Sequence, residues 1–100
     1  MNYKIYTIDE IKKRFEEITK KYVIDEAYLF GSYARGDAKP ESDVDFYLKV
    51  DNLKSGWDLG GIWADTEKAM DKKIDVVTTT AIMEKEFEQR MKKDLVKIYG

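Results

Sequence analysis

The chain's 100 residues include 18 Lys and Arg against 20 Asp and Glu, no cysteine and no histidine. That length allows one modest core, so residues 1–100 are expected to form a single domain, and a formal charge of -2 argues against direct, backbone-driven binding of nucleic acid. The missing cysteines exclude a disulfide framework and thiolate metal sites; no apolar run approaches the roughly 20 residues that span a bilayer, and nothing at the amino terminus resembles a signal peptide, so a cytoplasmic protein with no membrane partner is expected.

Thr7-Ile8-Asp9-Glu10 has the spacing of a capping box, and Ile8, Ile11, Phe15 and Ile18 then recur on one helical face. This predicts a first helix through about Lys20. Ala27–Phe30 reads as a short strand, which Gly31 ends with a sharp turn. A short helix is expected from Ser32 to Asp37, with Ser32 as its cap and its hydroxyl and the nearby N–H groups open to phosphate. Arg35 at that turn has two uses, a planar fork for phosphate or a partner for a local carboxylate.

In the next stretch Asp43, Asp45, Tyr47 and Lys49 alternate with Val44, Phe46, Leu48 and Val50, a strand with one polar and one apolar face. Lys49 is expected at the strand end with its ammonium in water, a phosphate contact being the lesser alternative. Residues 51–57 are turn-like; Leu59, Ile62, Trp63, Thr66, Ala69 and Met70 then group on a helix leading to Asp71, with Trp63 in the core and Trp57 sealing the helix against the sheet or, as the lesser alternative, touching a base. Gly60-Gly61 serves either close packing or loop motion. Ile74–Thr78 is a second β-branched strand carrying Asp75. Thr79 or Thr80 is expected to cap a last helix with the apolar stripe Met83, Phe87, Met91, Leu95 and Ile98, and Arg90, Lys92, Lys93 and Lys97 on its solvated side, with an acidic partner there as the lesser alternative.

The chemistry lies in Gly31-Ser32 followed, after ten intervening residues, by Asp43-Val44-Asp45. Same-face residues of a strand are roughly 6.5–7 Å apart, a gap that two carboxylates close by leaning toward a shared cation. Asp75 is the candidate third acid. Three like charges close together repel unless a cation lies between them, and hard oxygen ligands without Cys or His favour Mg²⁺ over zinc.

The run Gly31-Ser32-Tyr33-Ala34-Arg35-Gly36, then Ser42-Asp43-Val44-Asp45-Phe46, then Lys73-Ile74-Asp75-Val76-Val77 resembles the minimal nucleotidyltransferase (MNT) family of the polymerase β superfamily. Asp58-Leu59-Gly60-Gly61 and the closing Leu95–Tyr99 resemble further pieces of it. The resemblance implies an α+β nucleotidyltransferase fold: a short mixed sheet of at least three strands against about four helices. It implies that Asp43 and Asp45 bind two Mg²⁺ ions, that Asp75 helps bind one and activates the acceptor hydroxyl, and that Gly31 and Ser32, with Arg35, hold the triphosphate of ATP. It further implies an antitoxin that transfers AMP to a tyrosine of a HEPN-type toxin partner, as a hetero-oligomer with it. Two other functions remain at this point: nucleotidyl transfer to a small hydroxylated, aminoglycoside-like molecule, and a non-catalytic antitoxin that masks its partner.

Overall fold

A computed structural model describes residues 2–78 and 84–100. In chain order these form α1 (Ile8–Lys21), β1 (Glu26–Phe30), α2 (Gly31–Arg35), β2 (Val44–Lys49), α3 (Asp58–Met70), β3 (Ile74–Thr78), α4 (Lys85–Lys93) and β4 (Val96–Tyr99). The strands make one mixed sheet in the order β3-β2-β1-β4. β1 runs antiparallel to β2 and β4, while β2 and β3 are parallel and joined through α3, as a parallel pair requires a long crossover. The expected α+β class, with about four helices on a short mixed sheet, is the observed one.

α1 starts where its capping box places it. Thr7 Oγ1 accepts from the Glu10 N–H at 3.1 Å and Glu10 Oε1 accepts from the Thr7 N–H at 3.0 Å, satisfying two of the donors that a helix start leaves free. Its buried stripe of Ile11, Phe15 and Ile18 covers one sheet face, where Phe15 stacks on Phe46 with ring centroids 5.4 Å apart. α3 lies alongside and buries Ile62, Thr66 and Met70, four residues apart. That stripe corrects the reading of both tryptophans. Trp63 is one place, about 100°, round from Ile62 and is 38% exposed; Trp57, just before the helix, is 89% exposed and seals nothing. Gly61 serves close packing: a Cβ there would lie 2.4 Å from the Tyr22 hydroxyl, which donates to Asp65 at 2.7 Å.

The opposite sheet face is not simply polar, as strand alternation predicts. Tyr47 is buried with Phe30 and Met91 beneath α4, so a small second cluster roofs part of the face that carries Asp45. Lys49 stands beside Glu26 at 3.9 Å at the strand's end, and Lys97 approaches the same carboxylate at 3.5 Å.

The chain's end differs from the expected single helix. α4 stops at Lys93, and Val96–Tyr99 pairs with β1 as a strand. Leu95 and Ile98 continue the helical spacing of Phe87 and Met91, but Val96 and Ile98 also alternate with Lys97 and Tyr99; the open edge of β1 offers that stretch hydrogen-bond partners, and the ladder wins. Of the residues expected on the last helix, Thr79, Thr80 and Met83 lie outside the described residues.

Candidate active site

The acids converge because three strand ends meet. Phe30, the last residue of β1, is paired with Asp45, and Asp45 is paired in turn with Asp75 across the parallel β2–β3 ladder. Side chains at the same register of neighbouring strands point to one face, so Asp45 and Asp75 stand next to each other by backbone pairing. Asp43 lies one residue before β2 rather than within it. It is held by its surroundings: the Val44 N–H donates to the Lys73 carbonyl at 3.2 Å, and Ser42 closes a turn through bonds of 3.0 and 2.9 Å to Lys39.

Gly31 sits where β1 gives way to α2, with φ at +72°, a region that glycine enters without the Cβ penalty. Its missing side chain has a second use. A Cβ at this position would lie 2.3 Å from Asp45 Oδ2, so the carboxylate occupies the space that any other residue would fill.

Electrostatics ties the three acids together. The Asp45 carboxyl is pushed up from 3.8 to about 6, first by burial, then by the charge of Asp75 and then by that of Asp43, with Arg35 pulling weakly the other way. Among the described residues, no group of three or more acids is drawn in tightly enough to form a finished metal cage. What exists is one half-buried carboxyl flanked by two others, all hard oxygen donors.

Ser32 is corrected as a cap. α2 begins at Gly31 with Phe30 in the capping position, and no side chain bonds to its start; Ser32 lies in the first turn, and its carbonyl accepts from the N–H groups of Gly36 and Asp37, each at 3.0 Å. Arg35 takes the second of its two uses, donating from Nη1 to Asp94 at 3.0 Å and from Nε to Asp37 at 3.2 Å. A cavity of about 330 Å³ nevertheless brings Gly31, Arg35 and Asp45 together against α4, and another of about 280 Å³ lies by Asp43 and Lys73.

Lys72 escapes notice in the sequence, because nothing marks one lysine of a surface-like pair as internal. It is 8% exposed, and its ammonium donates to the carbonyls of Pro40 at 3.0 Å and Asn2 at 2.9 Å beside the Tyr6 ring. It thereby ties the loop that delivers Asp43 to the turn that delivers Asp75. Lys72→Met keeps the stem and removes the donor, so two carbonyls lose their partner and stability should fall by about 2 kcal/mol in urea denaturation. An unchanged midpoint would remove Lys72 from this structural role.

Comparison with known proteins shows the family and the fold. Two proteins of Methanocaldococcus jannaschii, each named "Putative protein adenylyltransferase", are similar: one is 36% identical over 75 residues, spanning 75% of this chain and 81% of its own, and the other 33% identical over 92 residues, spanning 89% and 92%. Among solved structures, a toxin–antitoxin complex with AMP-PNP matches with a TM-score of 0.71 at 18% identity over 89% of this chain and 73% of that one. A tri-AMPylated Shewanella oneidensis HEPN toxin in complex with MNT antitoxin matches with a TM-score of 0.67 at 14% identity, over 94% and 73%. At such identities the structures speak for the fold. The family model described as "Nucleotidyltransferase domain" matches residues 8–99, and with the sequence relatives it places this chain in the nucleotidyltransferase domain family.

Proposed function

We propose that this domain transfers AMP from ATP to a hydroxyl of a partner protein, a tyrosine of a HEPN-type toxin, the acceptor oxygen attacking the α-phosphorus as pyrophosphate leaves, and so acts as an antitoxin. The observation that carries the transfer chemistry is the Asp45 carboxylate lodged against Gly31, with Asp75 across the ladder and Asp43 two residues before it. The acceptor class is supported by the relatives named for protein adenylyl transfer and by the likeness to toxin–antitoxin complexes.

Mg²⁺ suits these residues. A carboxyl raised by burial and by two like charges is one that a cation would relieve, and three carboxylates offer hard oxygen atoms to one. On this reading Asp43, Asp45 and Asp75 would hold two ions; when bound, Mg²⁺ neutralises triphosphate charge and acidifies the acceptor hydroxyl. Asp75, on the outer strand β3, is the residue that meets the acceptor and takes its proton. Gly31 leaves room for the carboxylate, the Ser32 hydroxyl faces the triphosphate, and Arg35 exchanges Asp94 for a phosphate oxygen. A phenol suits the acceptor role because it ionises more readily than an aliphatic alcohol. The whole of residues 1–100 would act as one unit, with the acceptor brought by the partner.

Intact-mass measurement tests the proposal. The purified domain is mixed with its co-purifying partner, Mg²⁺ and each NTP in turn. AMP added to a tyrosine of the partner, with ATP preferred, is the expected result. AMP found instead on a small alcohol would overturn the acceptor, and a tight complex with no adduct would overturn catalysis.

A further inference from the structure

The cavity beside Asp45 has a far wall that the roles above leave unused, and that wall is α4. Phe87, Arg90, Met91 and Asp94 all line it, and steps of three, four and seven residues put them on one helical face. Two of them anchor the face. Met91 is 3% exposed in the cluster with Phe30 and Tyr47, and the Phe87 ring meets Phe30 edge-on with centroids 6.0 Å apart. Arg90, between the two anchors, is thereby carried to the cavity, whose other wall holds Gly31 and Arg35.

The two guanidiniums differ in circumstance. Arg35 is engaged by Asp94 and Asp37, whereas Arg90 forms no ion pair among the described residues, although Lys92 close by is tied to Glu88 at 2.8 Å. Cations in the last turn complement the α4 dipole, which accounts for their number there but not for one of them lining a cavity.

We infer that Arg90 is a second polyphosphate-binding residue of the nucleotide site, facing Arg35, and that Asp94 is the internal anion that a bound polyphosphate displaces from Arg35. The inference deepens the transfer reading and rests on it. Planar guanidinium forks match phosphate oxygens two at a time, and the packing of Phe87 and Met91 on Phe30 holds α4, and Arg90 with it, against the cavity. The polyphosphate is favoured over the acceptor because the cavity borders Gly31 and Arg35, while Asp75, the acceptor-side acid, is not part of its lining.

The test is calorimetric titration of the whole chain in Mg²⁺ with ATP, AMP, adenosine and inorganic tripolyphosphate, each variant first checked by a thermal melt. Arg90→Ala should weaken ATP and tripolyphosphate about tenfold and AMP less than about twofold, Arg90→Lys should recover part of the loss, and Asp94→Asn should tighten ATP about threefold by freeing Arg35. A folded Arg90→Ala variant with wild-type affinity for ATP would overturn the assignment, whether or not it then needs more acceptor for transfer. Asp94→Asn that weakens ATP would overturn the displacement and leave Asp94 as a tie that positions Arg35. Wild-type protein that binds adenosine as well as ATP would instead refute the transfer reading, and this inference with it.

Discussion

Asp45→Asn is expected to abolish AMP transfer, by about a thousandfold or more, and at the same time to make the metal-free protein more stable. Loss of activity follows from losing the carboxylate most closely set among the three acids. The gain in stability follows from the same setting. Folding raises this carboxyl from 3.8 to about 6, so at neutral pH the folded chain holds a charge that burial disfavours first, and the like charges of Asp75 and Asp43 after it. Asparagine keeps the shape and removes the charge. After allowance for solvent screening of a half-buried group the relief is on the order of 1–2 kcal/mol, a rise in Tm of roughly 5–10 °C for a domain of this size.

The sign of the pH dependence provides a second check. Because the folded pKa lies above the unfolded one, Asp45 imposes no penalty below pH 3.8; the penalty grows as pH rises and is complete above about 6. Melts in a chelator should therefore show wild type and Asp45→Asn converging toward pH 4 and diverging to a plateau above pH 6. Mg²⁺ added at pH 7.5 should raise the wild-type Tm and leave that of the variant nearly unchanged. A variant less stable than wild type in chelator would show that Asp45 is held by favourable contacts rather than disfavoured by burial and like charges.

Gly31→Ala carries the other large effect, expected to cost about 2 kcal/mol of stability and about a hundredfold in transfer by whatever fraction remains folded. Two causes act together. A left-handed φ of +72° is strained for any residue with a Cβ, by roughly 1–2 kcal/mol. The added methyl would also lie 2.3 Å from Asp45 Oδ2, which forces the carboxylate away, and a shift near 1 Å at a reacting centre can cost a hundredfold. A double-mutant cycle separates the causes. On an Asp45→Ala background the methyl meets no carboxylate, so Gly31→Ala should cost less there, with only the backbone strain left. An equal cost on both backgrounds in urea denaturation would show that the Asp45 carboxylate does not pack on Gly31.

Much of the molecule is legible in the chain because it rests on local rules. Thr7 and Glu10 lie three residues apart, within reach of each other's backbone, so the start of α1 needs no tertiary help. The expectation that Asp45 and Asp75 share a face likewise follows from period-two alternation in two β-branched runs. Trp63 shows where such rules give out: its neighbour Ile62 has an equal claim to the core, and only the packing of α3 on the sheet and beside α1 decides the rotation of the helix. Residues 95–99 satisfy both a helical and a strand period, and the vacant edge of β1, contributed from seventy residues earlier in the chain, selects the strand. By itself the sequence determined the capped first helix, the strand–turn–strand order and the alternation that sets Asp45 and Asp75 on strand faces, because each depends on chemistry between near neighbours. The tertiary structure decided the close fit of Asp45 to Gly31, the burial of Lys72 and the meeting of Arg90 and Arg35 at one cavity, since each is a meeting of segments whose separation along the chain carries no information about their separation in space.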